Sequence, residues 1–204
     1  MRKTPIIAAA AITLTMAGTV IPTQANATKV KFGSELNETV QPSNSLPGLP
    51  CDPMNPAASC SFVQNEAYGR PDGGEKAPHK GTLKKVRVIA GGSGSFTLQL
   101  VKSKQVGGVW QSKVKAVGPT ILYSGQSDQN WDFDIYKVET FRVNMPIKKG
   151  WRLAMKSSGT SAVRCSSGGD NTLLHNPPLG LGWGFQPVTS DDGCWTLIEG
   201  VIKY

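Results

Sequence analysis

The chain has 204 residues, 39% of them apolar and 18% charged, with 22 lysines and arginines against 14 aspartates and glutamates for a formal charge of +8. This balance excludes a disordered polyelectrolyte, and the 23 glycines and 14 prolines favour a chain of turns over one of long helices. A domain of about 150 residues buries some 68–70% of its unfolded surface, enough for one core that needs no cofactor.

Residues 1–27 carry the three parts of a secretory signal peptide: Arg2 and Lys3, an apolar stretch from Ile6 to Val20, and the small-residue site Ala25-Asn26-Ala27. The expected product is secreted and extracellular, starting at Thr28. The apolar stretch falls short of the ~20 residues of a membrane span, so no membrane anchor is expected. Removing Arg2 and Lys3 from the 22 basic residues leaves 20 against 14 acidic ones, a net +6. Such a charge serves solubility, and its functional reading is attraction to an anionic polymer outside the cell: wall polymer, acidic polysaccharide or extracellular DNA. The cations are scattered: Lys84-Lys85 with Arg87, Lys102 with Lys104, Lys113 with Lys115, and Lys148-Lys149 with Arg152. They form one face only if their strands are neighbours. No helix-turn-helix, zinc-finger or basic-helix signature accompanies them, so specific nucleic-acid recognition is not expected.

Residues 28–50 are polar, with Pro42, Pro47 and Pro50 and no apolar periodicity, and read as a flexible N-terminal tail. Residues 51–204 read as one all-β domain. Its clearest stretch is Gly81 to Ser103, where Val86 and Val88 alternate with Lys85 and Arg87, and Phe96, Leu98 and Leu100 with Thr97 and Gln99. Alternation of this kind marks two half-buried strands, and Gly91-Gly92-Ser93-Gly94 between them predicts a β-hairpin. Further strands are expected at 60–66, 110–117, 120–123, 136–143, 151–157, 162–166, 172–174 and 195–203, separated by glycine-rich turns. Short strands at regular spacing predict an antiparallel β-sandwich of jelly-roll or Greek-key type.

In an exported chain, four cysteines read as disulfides. Of three pairings, Cys51 with Cys60 and Cys165 with Cys194 is the expected one; the first closes a small ring of turn-forming residues. His79 and His175 are far apart and no Cys-x-x-Cys occurs, which argues against zinc.

Four features carry functional readings. An extended Asp128–Asp134 segment sets Asp128, Asn130, Asp132 and Asp134 on one face and Trp131, Phe133 and Ile135 on the other. Crowded oxygens of this kind suit calcium, although the segment departs from an EF-hand loop, with Phe133 at the turn-glycine position; a solvated polar edge is the plainer reading. The same carboxylates, partnered by Glu66, Glu139 or Glu199, are the material of a glycoside hydrolase, but nothing selects a pair. Among the tryptophans, Trp110, Trp151 and Trp195 on strands read as core, whereas Trp131 and Trp183 in turn-rich segments read as exposed stacking platforms for sugar rings. Finally, Asn176 to Phe185 is an irregular, apolar loop; Trp183 and Phe185 there either pack back or meet a partner.

The run from Val143 through Met145-Pro146-Ile147-Lys148-Lys149-Gly150-Trp151 to Leu153, the run from Val163 to Leu174, Pro177-Pro178-Leu179, and the closing Cys194-Trp195-Thr196 resemble secreted, uncharacterised single-domain proteins of actinobacterial type. More loosely, the pattern is similar to jelly-roll carbohydrate-binding modules. The resemblance spans about residues 60–204 and implies a fold and an extracellular address, with no catalytic residue. Together these readings make a non-catalytic binding module for cell-wall or environmental polysaccharide the leading expectation. A structural or inhibitor-like protein-interaction domain is the alternative, and an enzyme ranks below both.

Overall fold

The computed structural model describes residues 27–36, 45–46, 51, 58–125, 127–130, 133–159, 161, 163 and 165–204. The signal-peptide segment lies outside them. Fourteen strands occur among these residues: β1 (Lys29–Gly33), β2 (Ser45–Leu46), β3 (Ser59–Gln64), β4 (Gly81–Ile89), β5 (Gly94–Val106), β6 (Val109–Tyr123), β7 (Ser127–Asn130), β8 (Phe133–Tyr136), β9 (Val138–Ile147), β10 (Arg152–Ser158), β11 (Cys165–His175), β12 (Gln186–Pro187), β13 (Ser190–Thr196) and β14 (Ile198–Lys203). A four-stranded sheet runs β1-β14-β4-β9. An eight-stranded, strongly curled sheet runs β12-β6-β5-β10-β3-β11-β13, with β2 added on β11. Every ladder between these strands is antiparallel, and the two sheets form a β-sandwich of jelly-roll or Greek-key type.

The core lies between the sheets. Leu83, Val86 and Val88 of β4, with Ile198 and Ile202 of β14, meet Phe62, Phe96, Leu98, Leu100, Leu153 and Met155 of the larger sheet, all essentially inaccessible to water. The alternation seen in the sequence therefore assigned the faces of β4 and β5 correctly. It did not assign their pairing. β4 pairs β14 and β9, while β5 pairs β6 and β10, so the expected hairpin across Gly91–Gly94 is a crossover from one sheet to the other. A strand with one apolar face buries it equally well against a facing sheet, and sequence period does not distinguish that from a neighbour in the same sheet. The true hairpin is β5–β6, turned at Gly107 (φ 58°) and Gly108 (φ 81°), the two consecutive positive φ values of a type I′ turn.

Three further boundaries differ from expectation. Gly118-Pro119 does not break β6: a register shift opposite Thr97 and Gln99 takes up the extra residue as a bulge, which accommodates a proline without an N–H. The last strand is two, β13 in the large sheet and β14 in the small one, with Leu197 fully buried at the switch. The segment expected as a polar tail begins with a strand: β1 pairs β14 from Lys29↔Lys203 to Gly33↔Glu199, and Phe32 is buried over Gly200. Its Lys-Val-Lys-Phe alternation was the overlooked signal.

Cys51 and Cys60 form the expected disulfide. Cys194 is also disulfide-bonded and buried in the core, while the side chain of Cys165, its expected partner, lies outside the described ones.

Candidate functional site

The outer face of the curled sheet carries a second, smaller apolar cluster of Val63, Val101, Val114, Ala154, Leu173 and Leu179. Leu179 comes from the 176–185 loop and is pinned by a buried polar relay: its N–H donates to Ser61 Oγ at 3.0 Å, Ser61 Oγ donates to Gln99 Oε1 at 3.0 Å, and Gln99 Nε2 donates to Leu179 O at 3.0 Å. One end of the loop thus packs back. Its other end does not: Leu181 and Trp183 are 61% and 49% exposed, the indole of Trp183 lies against Gly180, and Lys104 Nζ sits 4.3 Å over the half-buried Phe185 ring.

Beside this cluster a cleft of about 410 Å³ opens, walled by Trp110 of β6, Trp195 of β13, Arg152 of β10 and the loop 65–76 that follows β3. Strands far apart in sheet order contribute to one cleft because the sheet is curled. Trp195 faces outward because its neighbour Cys194 faces the core, and successive side chains on a strand point to opposite faces. Its indole meets Tyr68 edge to face at 5.7 Å. Trp110 packs partly on the small cluster and lies under the Arg152 guanidinium, 5.2 Å from its ring centre. Both tryptophans, expected as core, are instead half-buried cleft walls.

Arg152 organises the site. It is 2% exposed, yet Nη1 donates to the carbonyl of Asn65 at 2.9 Å and also to Asn65 Oδ1, while Nη2 pairs with Glu75 Oε1 at 3.2 Å. Burial pushes its pKa below the ordinary arginine value, and the Glu75 and Glu66 carboxylates oppose that shift. The side chain remains a cation at physiological pH. Glu75 also pairs with Lys76 Nζ at 3.1 Å. Satisfied in this way, the guanidinium serves as a fixed positive floor with a stacked aromatic beside it, and Glu66 and Asp72 stand exposed at the rim.

The loop is fastened from behind as well. Gly33 N–H donates to Gly74 O at 2.8 Å and Arg70 Nε donates to Gly33 O at 2.6 Å, so β1 holds the cleft wall. Beneath it lies Glu199, with no exposure at all, bound by Arg87 Nη1 at 2.5 Å, Arg70 Nη2 at 3.0 Å and Lys31 Nζ at 3.6 Å.

The sequence candidates distribute unevenly around this geometry. Glu199 is a structural charge centre and Glu139 clamps the turn at Ser124 and Gly125 through three hydrogen bonds, so neither is placed as an acid or base. The aspartate segment is a hairpin, not one extended strand: Asp128 opposes Ile135, Gln129 opposes Asp134 and Asn130 opposes Phe133. Antiparallel register puts Asp128 and Asn130 at positions of one face and Asp134 at a position of the other. Trp131 and Asp132 lie outside the described residues, and among those described no three His, Cys, Asp or Glu side chains come together to hold a metal ion.

No protein-family model, no curated protein and no solved structure matches this chain. What the structure shows is a generic antiparallel β-sandwich of two sheets.

Proposed function

We propose that this chain is a non-catalytic extracellular module that binds cell-wall or environmental polysaccharide in the Trp110–Trp195 cleft, with Trp183 as a further exposed platform. One observation carries the reading: two indoles wall a single polar cleft of about 410 Å³ whose floor cation is held by Asn65 and Glu75. An indole offers a flat apolar face to the C–H face of a sugar ring, and the surrounding carboxylates and Lys76 offer hydroxyl partners. Glu75 is tied to two cations, which suits it to positioning rather than to proton transfer. The signal-like pattern of residues 1–27 and the Cys51–Cys60 disulfide support the extracellular part of this reading.

The test is depletion of the protein from solution onto insoluble glycans and purified cell wall. Trp110→Ala and Trp195→Ala are each expected to weaken retention about tenfold, the equivalent of ~1.4 kcal/mol, with Trp183→Ala adding a smaller loss. Retention unchanged in the Trp110→Ala/Trp195→Ala double variant removes the cleft from the reading. If only Trp183→Ala matters, the exposed Leu181–Trp183 tip becomes the binding surface and a protein partner the better reading.

A further inference from the structure

The outward face of the four-stranded sheet gathers cations that the sequence scatters over 175 positions, from Lys29 to Lys203. Lys29 opposes Lys203, Lys31 opposes Val201, and Val201 opposes Lys85 on its other side; Glu199 opposes Arg87. Glu199 apart, these residues, with Lys84, line a shallow depression of about 310 Å³ that shares no lining residue with the tryptophan cleft. Six of its nine lining residues are cations and none is acidic. The carboxylate nearest to it in register, Glu199, is fully buried and occupied by Arg87 and Lys31.

Like charges directly opposite one another in a sheet are destabilising. Lysine on an edge strand is a common guard against edge-to-edge pairing, and that explains β1. It does not explain Lys203 and Lys85, which stand on the interior strands β14 and β4. We propose that this face is a second binding site, for a linear phosphodiester polymer without bases, such as a polyol-phosphate chain. The residue types choose that ligand. Five of the six cations are lysines, compact charges that suit the tetrahedral phosphate, and the one arginine has its guanidinium on Glu199 and is not free to fork onto a planar carboxylate. Among the described residues no aromatic side chain lines the depression, so unpaired bases find nothing there to stack on. Along β1, Lys29 and Lys31 stand about 6.8 Å apart, and neighbouring strands about 4.8 Å apart; across them Lys203 lies directly beside Lys29, and Lys31 and Lys85 flank Val201, so an extended chain crossing the sheet along either row meets two cations.

The experiment uses the chain from Thr28 to Tyr204 with disulfides intact and purified poly(glycerol phosphate), against polygalacturonate and single-stranded DNA. Engagement of the five lysines predicts a slope of log K against log salt near −3.5, on the single-strand value of about −0.7 per charge, hence about 130-fold weaker binding at 200 mM than at 50 mM salt. Lys29→Gln/Lys85→Gln/Lys203→Gln is expected to bring the slope to about −1.4 and to melt no lower than the parent, since like charges are removed. Lys102→Gln/Lys104→Gln, on β5 of the other sheet, changes the total charge by nearly as much and is expected to leave the slope alone. Trp110→Ala is expected to bind the polymer fully, which separates this site from the cleft. Equal loss in the two lysine variants, or polygalacturonate or DNA bound as tightly as the phosphate polymer, overturns the proposal, as does no binding at 50 mM salt.

Discussion

Replacing Glu199 with glutamine removes a buried negative charge on which three cations converge while keeping the side-chain volume. Arg87 Nη1 and Lys31 Nζ share Oε1, and Arg70 Nη2 with the Leu36 N–H share Oε2. Glutamine retains one acceptor and turns an NH2 toward a guanidinium that has only donors. Breaking a buried pair by removing one partner typically costs 3–5 kcal/mol. Arg87 and Arg70 are 16% and 21% exposed and regain some hydration, and Lys31 is half-exposed and adds little, so the lower figure, about 3 kcal/mol, applies. For a domain of this size that is a fall of about 6–12 °C in Tm. Thermal unfolding by circular dichroism at pH 7 measures it, and hydrogen exchange localises it: the Gly33 and Lys76 amides, which bond to Gly74 O and Gly73 O, are expected to lose protection before the Leu98 and Met155 amides of the large sheet. A double-mutant cycle with Arg70→Gln is expected to show strong coupling. A melt within 2 °C of the parent, or exchange that rises uniformly over both sheets, refutes the claim that this carboxylate fastens β1 and the cleft loop to the sandwich.

Two further outcomes follow from buried groups. His175 is 1% exposed, with Nδ1 donating to Pro187 O at 3.1 Å, and burial lowers its pKa from 6.5 to about 4. The unfolded chain therefore takes up this proton first: the neutral ring's contribution is intact above about pH 6.5, falls between 6.5 and 4, and is fully lost below 4, a change of about 3 kcal/mol. Urea unfolding from pH 7.5 to 4 is expected to show that loss relative to His175→Gln, and parallel pH profiles for the two proteins sink the assignment. Gly200 lies under the Phe32 ring, and a Cβ there would overlap Cε1 and come within 2.9 Å of Cζ. Gly200→Ala is expected to cost about 1–3 kcal/mol by overpacking. In a Phe32→Leu background most of that cost is expected to disappear, and equal costs in both backgrounds would show that the ring is not the obstacle.

Much of the fold was legible before any coordinates. Leu83 aside, every inward residue of β4 and β5 follows the alternation of Val86, Val88, Phe96, Leu98 and Leu100, because a two-residue period is a property of the backbone. The Gly107-Gly108 turn and the Cys51–Cys60 ring are equally local, decided by φ freedom and by short chain separation. Trp195 was within reach too: with Cys194 inward, its neighbour had to face out. Trp110 was not, since its half-buried place depends on a guanidinium 42 positions away in the chain.

From the sequence alone came the all-β class, the apolar faces of β4 and β5, and the reversal at Gly107-Gly108. Only the tertiary structure decided which strands are neighbours, because an apolar face is satisfied by any opposing apolar face and carries no label for its partner. That choice sent β4 and β5 to different sheets and brought Lys29, Lys85 and Lys203 side by side. The curl of the large sheet then set Trp110 and Trp195, at its two sides, around one cleft. Both proposed sites are products of strand order, a long-range quantity, whereas the elements that carry them are products of local period.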